Sequence, residues 1–554
     1  MVKNGKTLLS GIDPVRRAEK TADSVSLNDR TLFLCPSPLY GYGLARLLSR
    51  LEKDARGCAV LCIEADSELF ELTGKNIDED LLKNKNFHIT NICDPVKLCS
   101  LVNSLWGTLS FRRIETIRFT GGYQLFPDLY SSLYETLRRQ FASDWSNALT
   151  LTKLGRLYIR NCMRNLSLAQ VFPSVSELSF NEDTVLVLGA GPSLDETLDF
   201  LVRSKVLGAS SEELGVKNRG RKFRIICVDT CLGALRDRGI VPDLAVILES
   251  QHWNIRDFIG SAGVEIPAAV DLSSLPASAK ILNGDGFLFF TPWTHLRIFE
   301  RLKDAGLLPA AVSPLGSVGL TAVEIAKRVT RGKIICTGLD FSFTADSYHA
   351  RGTPGHLGKL NKQNRFSRLF NNAVFEESTI TVLSKEGKNS YTNPIMKNYR
   401  NLFEQEFGND PRIYDIKGNG LPLGVKTISL DELKKEFNHE PARTSTNPCC
   451  DAEQQVCVRT EGSINVVRGK ELELSVFYEN ERKRLEELRG ILTGEAEMNE
   501  DRLTVLLNEC DYIWAHFPDC AGGRKTDLKD VAFLKRVRTE IDPMLKILIN
   551  KNLR

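Results

Sequence analysis

TVLVLGAGPSLD, residues 184–195, is the stretch of sequence that decides the fold. Its β-branched and apolar residues predict a strand, Gly189 and Gly191 predict a tight turn, and the acidic segment after Ser193 predicts a helix. Glycine lets the backbone approach a ligand closely, and the first turn of a helix presents free N–H groups to an anion. The stretch therefore predicts a phosphate-binding turn in an α/β domain.

Two familiar nucleotide-binding motifs are excluded by the residues that follow this turn. A P-loop requires Gly-Lys-Ser or Gly-Lys-Thr, whereas Leu194 and Asp195 follow Ser193. The dinucleotide fingerprint requires a third glycine at the position that Leu194 occupies. Taken alone the turn is a weak signal, and a plain strand-to-helix connection is the alternative interpretation.

Length and composition restrict the class of protein. The chain has 554 residues, of which 42% are hydrophobic, and this suits roughly three domains with buried cores. A net charge of +3 gives no reason to expect a nucleic-acid partner. The N-terminus lacks the apolar core of a signal peptide, and no window offers the ~18 uncharged apolar residues of a membrane span. We therefore expect a cytoplasmic protein without a membrane span.

The 14 cysteines are scattered, as is typical of reduced and buried thiols. Cys449, Cys450 and Cys457, with His439 upstream, suggest zinc as an alternative. Their spacing matches no usual zinc finger or ribbon, so we expect no metal site.

The N-terminal part reads as a Rossmann-like domain. Residues 1–30 are polar and expected to be flexible. Residues 31–174 open with a strand, a Gly41-Tyr-Gly43 turn, a leucine-striped helix and a strand that ends in Glu64-Ala-Asp66. A glycine turn followed by an acidic strand end is the layout of a ribose-binding half. Because only two glycines are present and prolines crowd the turn, a purely structural domain is favoured, and a nucleoside site is the alternative.

The central domain, residues 175–438, places small and acidic residues at the ends of several strands. Asp229, Glu249 and Asp340 each follow a strand, and Gly316-Ser317 precedes a second helix. Since the carboxyl ends of parallel strands meet at one sheet edge, we expect these groups beside the glycine turn. The candidate binding residues are therefore Gly189, Gly191, Pro192, Ser193, Asp229, Glu249, Gly316, Ser317, Gly338 and Asp340.

A long irregular segment begins at Thr344 and is predicted to be a lid, with a solvated surface loop as the alternative. It carries His349 and His356 and is rich in cations that suit an anionic ligand. These cations are Arg351, Lys359, Lys362, Arg365 and Arg368.

The C-terminal part is predicted to be helical. Residues 439–469 have the composition of a linker, and residues 470–554 contain three apolar stripes at helical spacing. These stripes are explained by the core of a small bundle, and a docking face for a protein partner is the alternative. The sequence as a whole predicts an α/β protein with two Rossmann-like parallel-sheet domains followed by a C-terminal helical domain.

Several segments together resemble the Maf family of motility-associated flagellin glycosyltransferases. They are GYGLARLL, VLCIEADSELFEL, RNCMRNLS, VLVLGAGPSLD, PDLAVILES, GSVGLTAVEIAKR and IICTGLDFSF. The central block is also similar to bacterial sialyltransferases that use CMP-activated nonulosonic acids, and a 6-hydroxymethylpterin pyrophosphokinase family shares this domain.

The resemblance implies transfer of a nonulosonic, sialic-acid-like sugar from a CMP-activated donor to Ser or Thr of flagellin, in support of flagellar assembly and motility. It implies no tightly bound cofactor. By position, the Gly189–Ser193 turn lies along the nucleotide, Asp229 and Glu249 lie near its ribose and base, and Gly316-Ser317 faces the phosphate or carboxylate of the donor.

The resemblance places Tyr348 at the position of a phosphate-contacting tyrosine. His349 is the candidate base, with His356 in reserve, because both lie in the predicted lid, and surface-loop histidines without a catalytic role are the alternative. Departures from the sialyltransferase pattern are Ala190 for an asparagine and Ser342 for a second tyrosine, while acidic residues replace asparagines at 229 and 249. Carboxylates suit ribose hydroxyls but repel a phosphate.

Two other functions remain open from the sequence. One is an ATP-dependent pterin pyrophosphokinase, which the missing lysine after the turn disfavours. The other is a non-catalytic flagellin-binding protein whose Rossmann-like domains have lost their ligands.

Overall fold

Strands and helices alternate through most of the chain, as the sequence predicts. The computed structural model describes residues 1–204, 223–366, 372–438, 462–497, 499–518, 520 and 530–549. These fall into two units, one formed by Met1–Gly155 with Trp514–Lys529 and the other by Arg156–Ile513 with Asp530–Arg554.

The first unit is built on a parallel sheet of four strands. Its elements are β1 (Val2–Lys3), β2 (Lys6–Thr7), α1 (Pro14–Ser24), β3 (Thr31–Pro36), α2 (Leu44–Asp54), β4 (Ala59–Ile63), α3 (Ser67–Asn76), α4 (Glu79–Leu82), β5 (Phe87–Thr90), α5 (Pro95–Leu105), β6 (Arg113–Thr116) and the first part of α6 (Pro127–Asn165). The strand order is β5-β4-β3-β6, and every pair is parallel. The predicted Rossmann-like organisation is observed.

The first thirty residues differ from the flexible segment that the sequence predicts. They contain a small hairpin of β1 and β2 and the helix α1. Ala18 and Ala22 of α1 are buried in the core that also holds the leucine stripe of α2, and Leu8 packs with Leu39. Small alanine side chains let α1 lie close to α2, and this packing orders a segment whose composition is polar.

The glycine turn of the first unit is filled by its own chain. A Cβ added at Gly43 would lie 2.8 Å from both the carbonyl oxygen of Ala18 and the ring of Phe119. Glu64 is fully buried and accepts a hydrogen bond from Ser37 Oγ at 2.6 Å. Because Glu64 is buried and already bonded, it is not accessible to a ribose, which favours the structural interpretation of this domain.

The second unit is built on a parallel sheet of eight strands. Its elements are β7 (Thr184–Leu188), α7 (Leu194–Arg203), β8 (Phe223–Val228), α8 (Leu232–Arg236), β9 (Leu244–Ile247), β10 (Ala268–Asp271), β11 (Gly286–Phe289), α9 (Arg297–Asp304), α10 (Val318–Val329), β12 (Ile334–Thr337), α11 (Pro354–Lys362), β13 (Ile380–Leu383), β14 (Asn389–Thr392), α12 (Pro394–Phe407), β15 (Ile413–Ile416), β16 (Lys426–Ile428), α13 (Leu430–Asn438), α14 (Gly462–Thr493), α15 (Glu500–Glu509) and α16 (Val531–Ile549).

The strand order of this sheet is β11-β10-β9-β8-β7-β12-β15-β16. Strands β8 to β12 are buried along their length except for one half-buried residue at the start of β8, which is why they read as near-continuous apolar runs. β13 and β14 form a separate antiparallel hairpin. The second parallel sheet predicted from the sequence is therefore confirmed.

The three predicted C-terminal helices are α14, α15 and α16. Their stripes are buried, with Leu485, Leu488, Leu507 and Ile541 each at most 1% exposed. They belong to the same unit as the large sheet. Most of the predicted linker, including His439, Cys449, Cys450 and Cys457, lies outside the described residues.

Membrane spans and metal clusters can be assessed for the described residues. None of the helices in these ranges combines the length and apolar character needed to cross a membrane. Within the same ranges, no cluster of three or more His, Cys, Asp or Glu side chains is arranged to hold a metal ion.

Candidate functional site

The order of the large sheet reverses between β7 and β12. From β7 the chain builds outward through β8, β9, β10 and β11, and it then returns to place β12 on the other side of β7. Open α/β sheets bind ligands in the crevice at the carboxyl ends of the strands where this reversal occurs. The turn after β7 and the turn after β12 both lie there.

These two turns are interlocked by their backbones. The Gly189 N–H donates to Thr337 O and the Gly191 N–H donates to Gly338 O, both at 2.8 Å. A Cβ added at Gly189 would lie 2.5 Å from Gly338 O, and one added at Gly191 would lie 2.5 Å from Asp340 Oδ2. Close approach of the second turn thus requires glycine at both positions.

Asp340 fixes the start of α7. Its carboxylate accepts hydrogen bonds from the Ser193 N–H at 2.8 Å and from Ser193 Oγ at 2.5 Å, and Asp340 is 3% exposed. Burial raises the pKa of Asp340, and the charge of Lys385 and the bonds from Ser193 oppose that rise. The anion position that the sequence assigns to a phosphate is therefore filled by a carboxylate of the chain itself, because α7 and β12 are neighbours.

Asp229, at the end of β8, is buried and satisfied by its neighbours. It accepts from the Thr230 N–H at 2.8 Å and from Asn254 Nδ2 at 2.7 Å, and Asn254 Nδ2 also donates to Asp257 at 3.1 Å. Burial raises the pKa of Asp229 to about 6, and burial with the charge of Asp229 raises the pKa of Asp257 to about 7. Glu249, at the end of β9, is exposed and is the more accessible of the two predicted ribose-side carboxylates.

The loop before α10 offers a second helix N-terminus at this edge of the sheet. Gly316 has a φ of 71°, and Ser317 is the N-cap of α10 without forming a capping hydrogen bond through its side chain. Tyr399 lies close by, since a Cβ added at Gly316 would be 3.3 Å from its ring. Neither Ser193 of α7 nor Ser317 of α10 forms a capping bond through its own side chain, but Ser193 is bound by Asp340.

His349 and Tyr348 line one small pocket. Its cavity volume is only about 10 Å³, and it is lined by Asp346, Ser347, Tyr348, His349, Gly355, His356 and Lys359. The ammonium of Lys359 lies 5.1 Å from the centre of the Tyr348 ring. The structure thus brings both predicted catalytic residues and the reserve histidine together with one of the predicted cations.

The ring of His349 is oriented by the glycine turn. Its Nδ1 lies 3.3 Å from the carbonyl oxygen of Ala190, and burial lowers the pKa of His349 below its ordinary value of 6.5. The neutral ring must donate from Nδ1 to that carbonyl, an assignment made from the hydrogen-bond partner. Nε2 is then left as a proton acceptor, as a general base requires.

Of the remaining lid cations, Arg351 is placed differently from the prediction. Arg351 forms ion pairs with Asp199 at 2.9 Å and with Asp195 at 3.4 Å, so it faces α7. The segment expected to be irregular contains α11, whose first turn is capped by Thr353. Lys362 and Arg365 are exposed, and Arg368 lies outside the described residues.

Sequence reasoning missed a buried ion pair next to Asp340. Lys385 Nζ donates to both oxygens of Asp415, at 3.0 and 2.8 Å, and to Ile416 O at 3.0 Å. The two side chains are only 6% and 2% exposed. Asp415 lies in β15, so it could have been predicted as Asp340 was, from an acidic residue near the carboxyl end of a strand. Lys385 comes from the β13–β14 hairpin, and no motif near it in the sequence indicates a role.

Comparison with known proteins finds a family model that matches part of the chain and a relative that matches most of it. Residues 158–346 match the model of a family described as 6-hydroxymethylpterin diphosphokinase MptE-like. An uncharacterized protein of Treponema pallidum (strain Nichols) is 28% identical over 549 residues, covering 96% of this chain and 90% of that protein.

A solved structure shares the fold. The Maf glycosyltransferase from Magnetospirillum magneticum AMB-1 superposes with a TM-score of 0.52 at 15% identity, covering 98% of this chain and 83% of that one. The resemblance to Maf proteins with an MptE-like central domain, which the motifs predict, is confirmed in family model and fold. The similarity to sialyltransferases stays a prediction.

Proposed function

We propose that the chain is a glycosyltransferase that moves a nonulosonic sugar from a CMP-activated donor to a Ser or Thr hydroxyl of flagellin. The observation that carries the proposal is the position of His349. Its Nδ1 is held by the glycine turn at the switch point of the sheet, and no hydrogen bond to Nε2 is observed among the residues that the structure describes. The fold shared with a Maf glycosyltransferase supports the same reaction class.

The reaction is a displacement at the anomeric carbon of the sugar. The acceptor oxygen forms the new bond, the bond to the phosphate oxygen of CMP breaks, and the hydroxyl proton passes to His349 Nε2. CMP leaves with added negative charge on its phosphate. Tyr348 and Lys359 line the same pocket and supply a hydroxyl and a positive charge for that phosphate.

The arrangement of carboxylates determines where the donor's anionic groups bind. Asp340 already occupies the start of α7, and a phosphate beside it would be repelled. The start of α10, at Gly316 and Ser317, presents N–H groups that suit the carboxylate of the donor's sugar, while the phosphate faces Tyr348 and Lys359. The neutral ribose and base then lie along the Gly189–Ser193 turn, and Glu249 accepts from the ribose hydroxyls.

A second candidate is an ATP-dependent pterin pyrophosphokinase, which the MptE-like match over residues 158–346 favours. In that reaction a pterin hydroxyl attacks the β-phosphate of ATP, the bond to the α-phosphate breaks, AMP leaves, and His349 would accept the hydroxyl proton. Asp340 at the start of α7 disfavours this candidate, because a triphosphate along the glycine turn would meet its charge.

Titration calorimetry of the full chain with CMP and with ATP plus Mg²⁺ separates the two candidates. We expect CMP to bind and Mg²⁺-ATP to bind at least tenfold more weakly. The transfer assay then mixes protein, a CMP-activated nonulosonic acid and flagellin, and measures the intact mass of flagellin. An added mass equal to one or more sugars supports the proposal. Mg²⁺-dependent ATP binding with unchanged flagellin would identify the pyrophosphokinase, and capture of flagellin without any nucleotide binding would identify a non-catalytic protein.

A further inference from the structure

Lys385 sits in the turn of the β13–β14 hairpin and reaches back to the carboxyl edge of the large sheet. All three of its ammonium hydrogens have acceptors, namely the two carboxylate oxygens of Asp415 and the carbonyl oxygen of Ile416. A lysine this buried costs free energy unless its charge is compensated. We therefore ask what this buried charge does for Asp340 and the glycine turn beside it.

This ammonium is bonded to one buried carboxylate, and its charge also acts on a second. Asp415 is bonded to Lys385 directly, and the positive charge of Lys385 also opposes the effect of burial on Asp340. The backbones are linked as well, because the Lys385 N–H donates to Gly420 O at 2.8 Å and the Leu421 N–H donates to Asp340 O at 2.9 Å. Gly420 lies against Asp340, since an added Cβ there would be 2.8 Å from Asp340 Oδ1.

We propose that Lys385 is a positioning residue for the glycine turn: it supplies the charge against which Asp340 stays ionised, and Asp340 in turn holds Ser193 and the start of α7. Asp340 receives two hydrogen bonds from Ser193, and both are strongest when it is a carboxylate. The hairpin, which lies outside the glycine turn, thus holds the Gly189–Ser193 turn and the start of α7 in place. The role of this wall in catalysis rests on the proposed function, but the linkage itself does not.

Hydrogen exchange of the full chain without nucleotide tests the linkage, read by mass spectrometry on peptides that contain residues 189–195. We expect Lys385→Met to speed exchange there at least tenfold and to leave peptides of β3 unchanged. Lys388→Met is the matched control, because Lys388 lies in the same hairpin, is 69% exposed, and pairs only with Glu386 among the described residues. It should exchange like the wild type.

Three further variants separate this role from a local ion pair and keep the test usable if Lys385→Met folds poorly. Asp415→Asn removes one carboxylate and keeps the positive charge of Lys385 near Asp340, so protection of residues 189–195 should be retained. Lys385→Met/Asp415→Asn removes both charges and should still expose these residues, and Lys385→Arg should largely protect them. Full protection in the double variant, or loss of protection in Asp415→Asn alone, would overturn the proposal.

The outcome is distinguishable from that of the proposed function. If the wild type binds CMP, the dissociation constants of these variants should rise in the same order as their exchange rates. If the wild type binds no CMP, the proposed function fails and the exchange results still decide the role of Lys385.

Discussion

At the scale of single residues, one backbone carbonyl determines what His349 can do. Ala190 O accepts from Nδ1, so the ring presents Nε2 to the pocket, and burial keeps it neutral by lowering its pKa. We expect His349→Gln to reduce kcat for transfer by about 10²–10⁴-fold, the range for loss of a general base, with CMP affinity changed less than threefold.

Steady-state kinetics and calorimetry on the same preparation measure both effects. His295→Gln is the matched control, because His295 is exposed, and it should retain wild-type kcat. A general base must be neutral, and the pKa of His349 is lowered. The kcat of the wild type should therefore stay constant at neutral pH and fall only below the ordinary histidine value of 6.5, where His349 becomes protonated. Full activity of His349→Gln would remove His349 as the base.

Asp229 and Asp257 present a different residue-scale effect, because the amide of Asn254 donates to both. Their pKa values are raised to about 6 and about 7, so the folded protein favours their protonated forms. The stability they contribute is complete below the ordinary value of 3.8 and is lost as pH rises through 6 to 7.

Asp257→Asn removes this cost at high pH. Allowing for partial exposure of Asp257, we expect a gain of ~1–2 kcal/mol at pH 8, or a rise of ~2–6 °C in Tm. The gain should shrink steadily toward pH 4. Thermal unfolding followed by circular dichroism at several pH values measures it, with the exposed Asp285→Asn as control. A gain that does not depend on pH would contradict the assigned cause.

At the scale of elements, the interlocked turns make a prediction about Gly191. A side chain there would meet Asp340 Oδ2 at 2.5 Å and Gly338 O at 2.7 Å, and neither the buried carboxylate nor the backbone can move freely. We expect Gly191→Ala to weaken CMP binding at least tenfold and to cost ~1–3 kcal/mol of stability.

Gly358→Ala is the matched control, because an added Cβ in α11 meets nothing within 4 Å. It should leave CMP binding unchanged and stabilise the helix by about 0.5–1 kcal/mol, since alanine is the better helix former. Calorimetry and urea unfolding on both variants measure these effects. If both variants had the same CMP affinity and stability, the two turns would have room for a side chain at Gly191.

The sequence predicts these elements well because their signals are local. The strand, the turn and the helix of residues 184–195 follow from apolar runs, glycines and helix-start residues, and Asp340 follows a strand by the same logic. What the sequence could not predict is that Asp340 would cap α7, since this depends on β12 lying beside β7. Lys385 is harder still, because its partner Asp415 is thirty residues away in a different element.

At the scale of the whole molecule, sequence patterns divide the chain into domains less reliably, because a boundary depends on packing between distant segments. The predicted helical domain begins at residue 470, whereas α14 to α16 belong to one unit with the large sheet. Tyr478 of α14 donates to Met163 O at 2.9 Å, and Arg301 of α9 reaches Glu481. The amphipathic stripes predicted these helices correctly, but a stripe does not say which surface will cover it.

Glu481 of α14 links this helix to α9 through buried hydrogen bonds. It is fully buried and receives both Nε and Nη2 of Arg301, at 2.7 and 2.9 Å, together with the hydroxyl of Tyr512 at 3.2 Å. Removing one partner of a buried pair leaves the other charge uncompensated, which typically costs ~3–5 kcal/mol. We therefore expect Glu481→Ala to lower the Tm of the second unit by about 5–10 °C.

Differential scanning calorimetry measures this shift, and hydrogen exchange assigns it to a unit. Peptides of α9 and α14 should lose protection in Glu481→Ala, while those of β3 and β4 in the first unit should not. Glu479→Ala on the same helix is the control, because its carboxylate is 40% exposed and pairs with Arg482 at the surface, so its loss should cost less than about 1 kcal/mol. If both variants melt alike, the C-terminal helices are held to the sheet by their apolar stripes alone, and the buried charges serve only to fix which of their faces points inward.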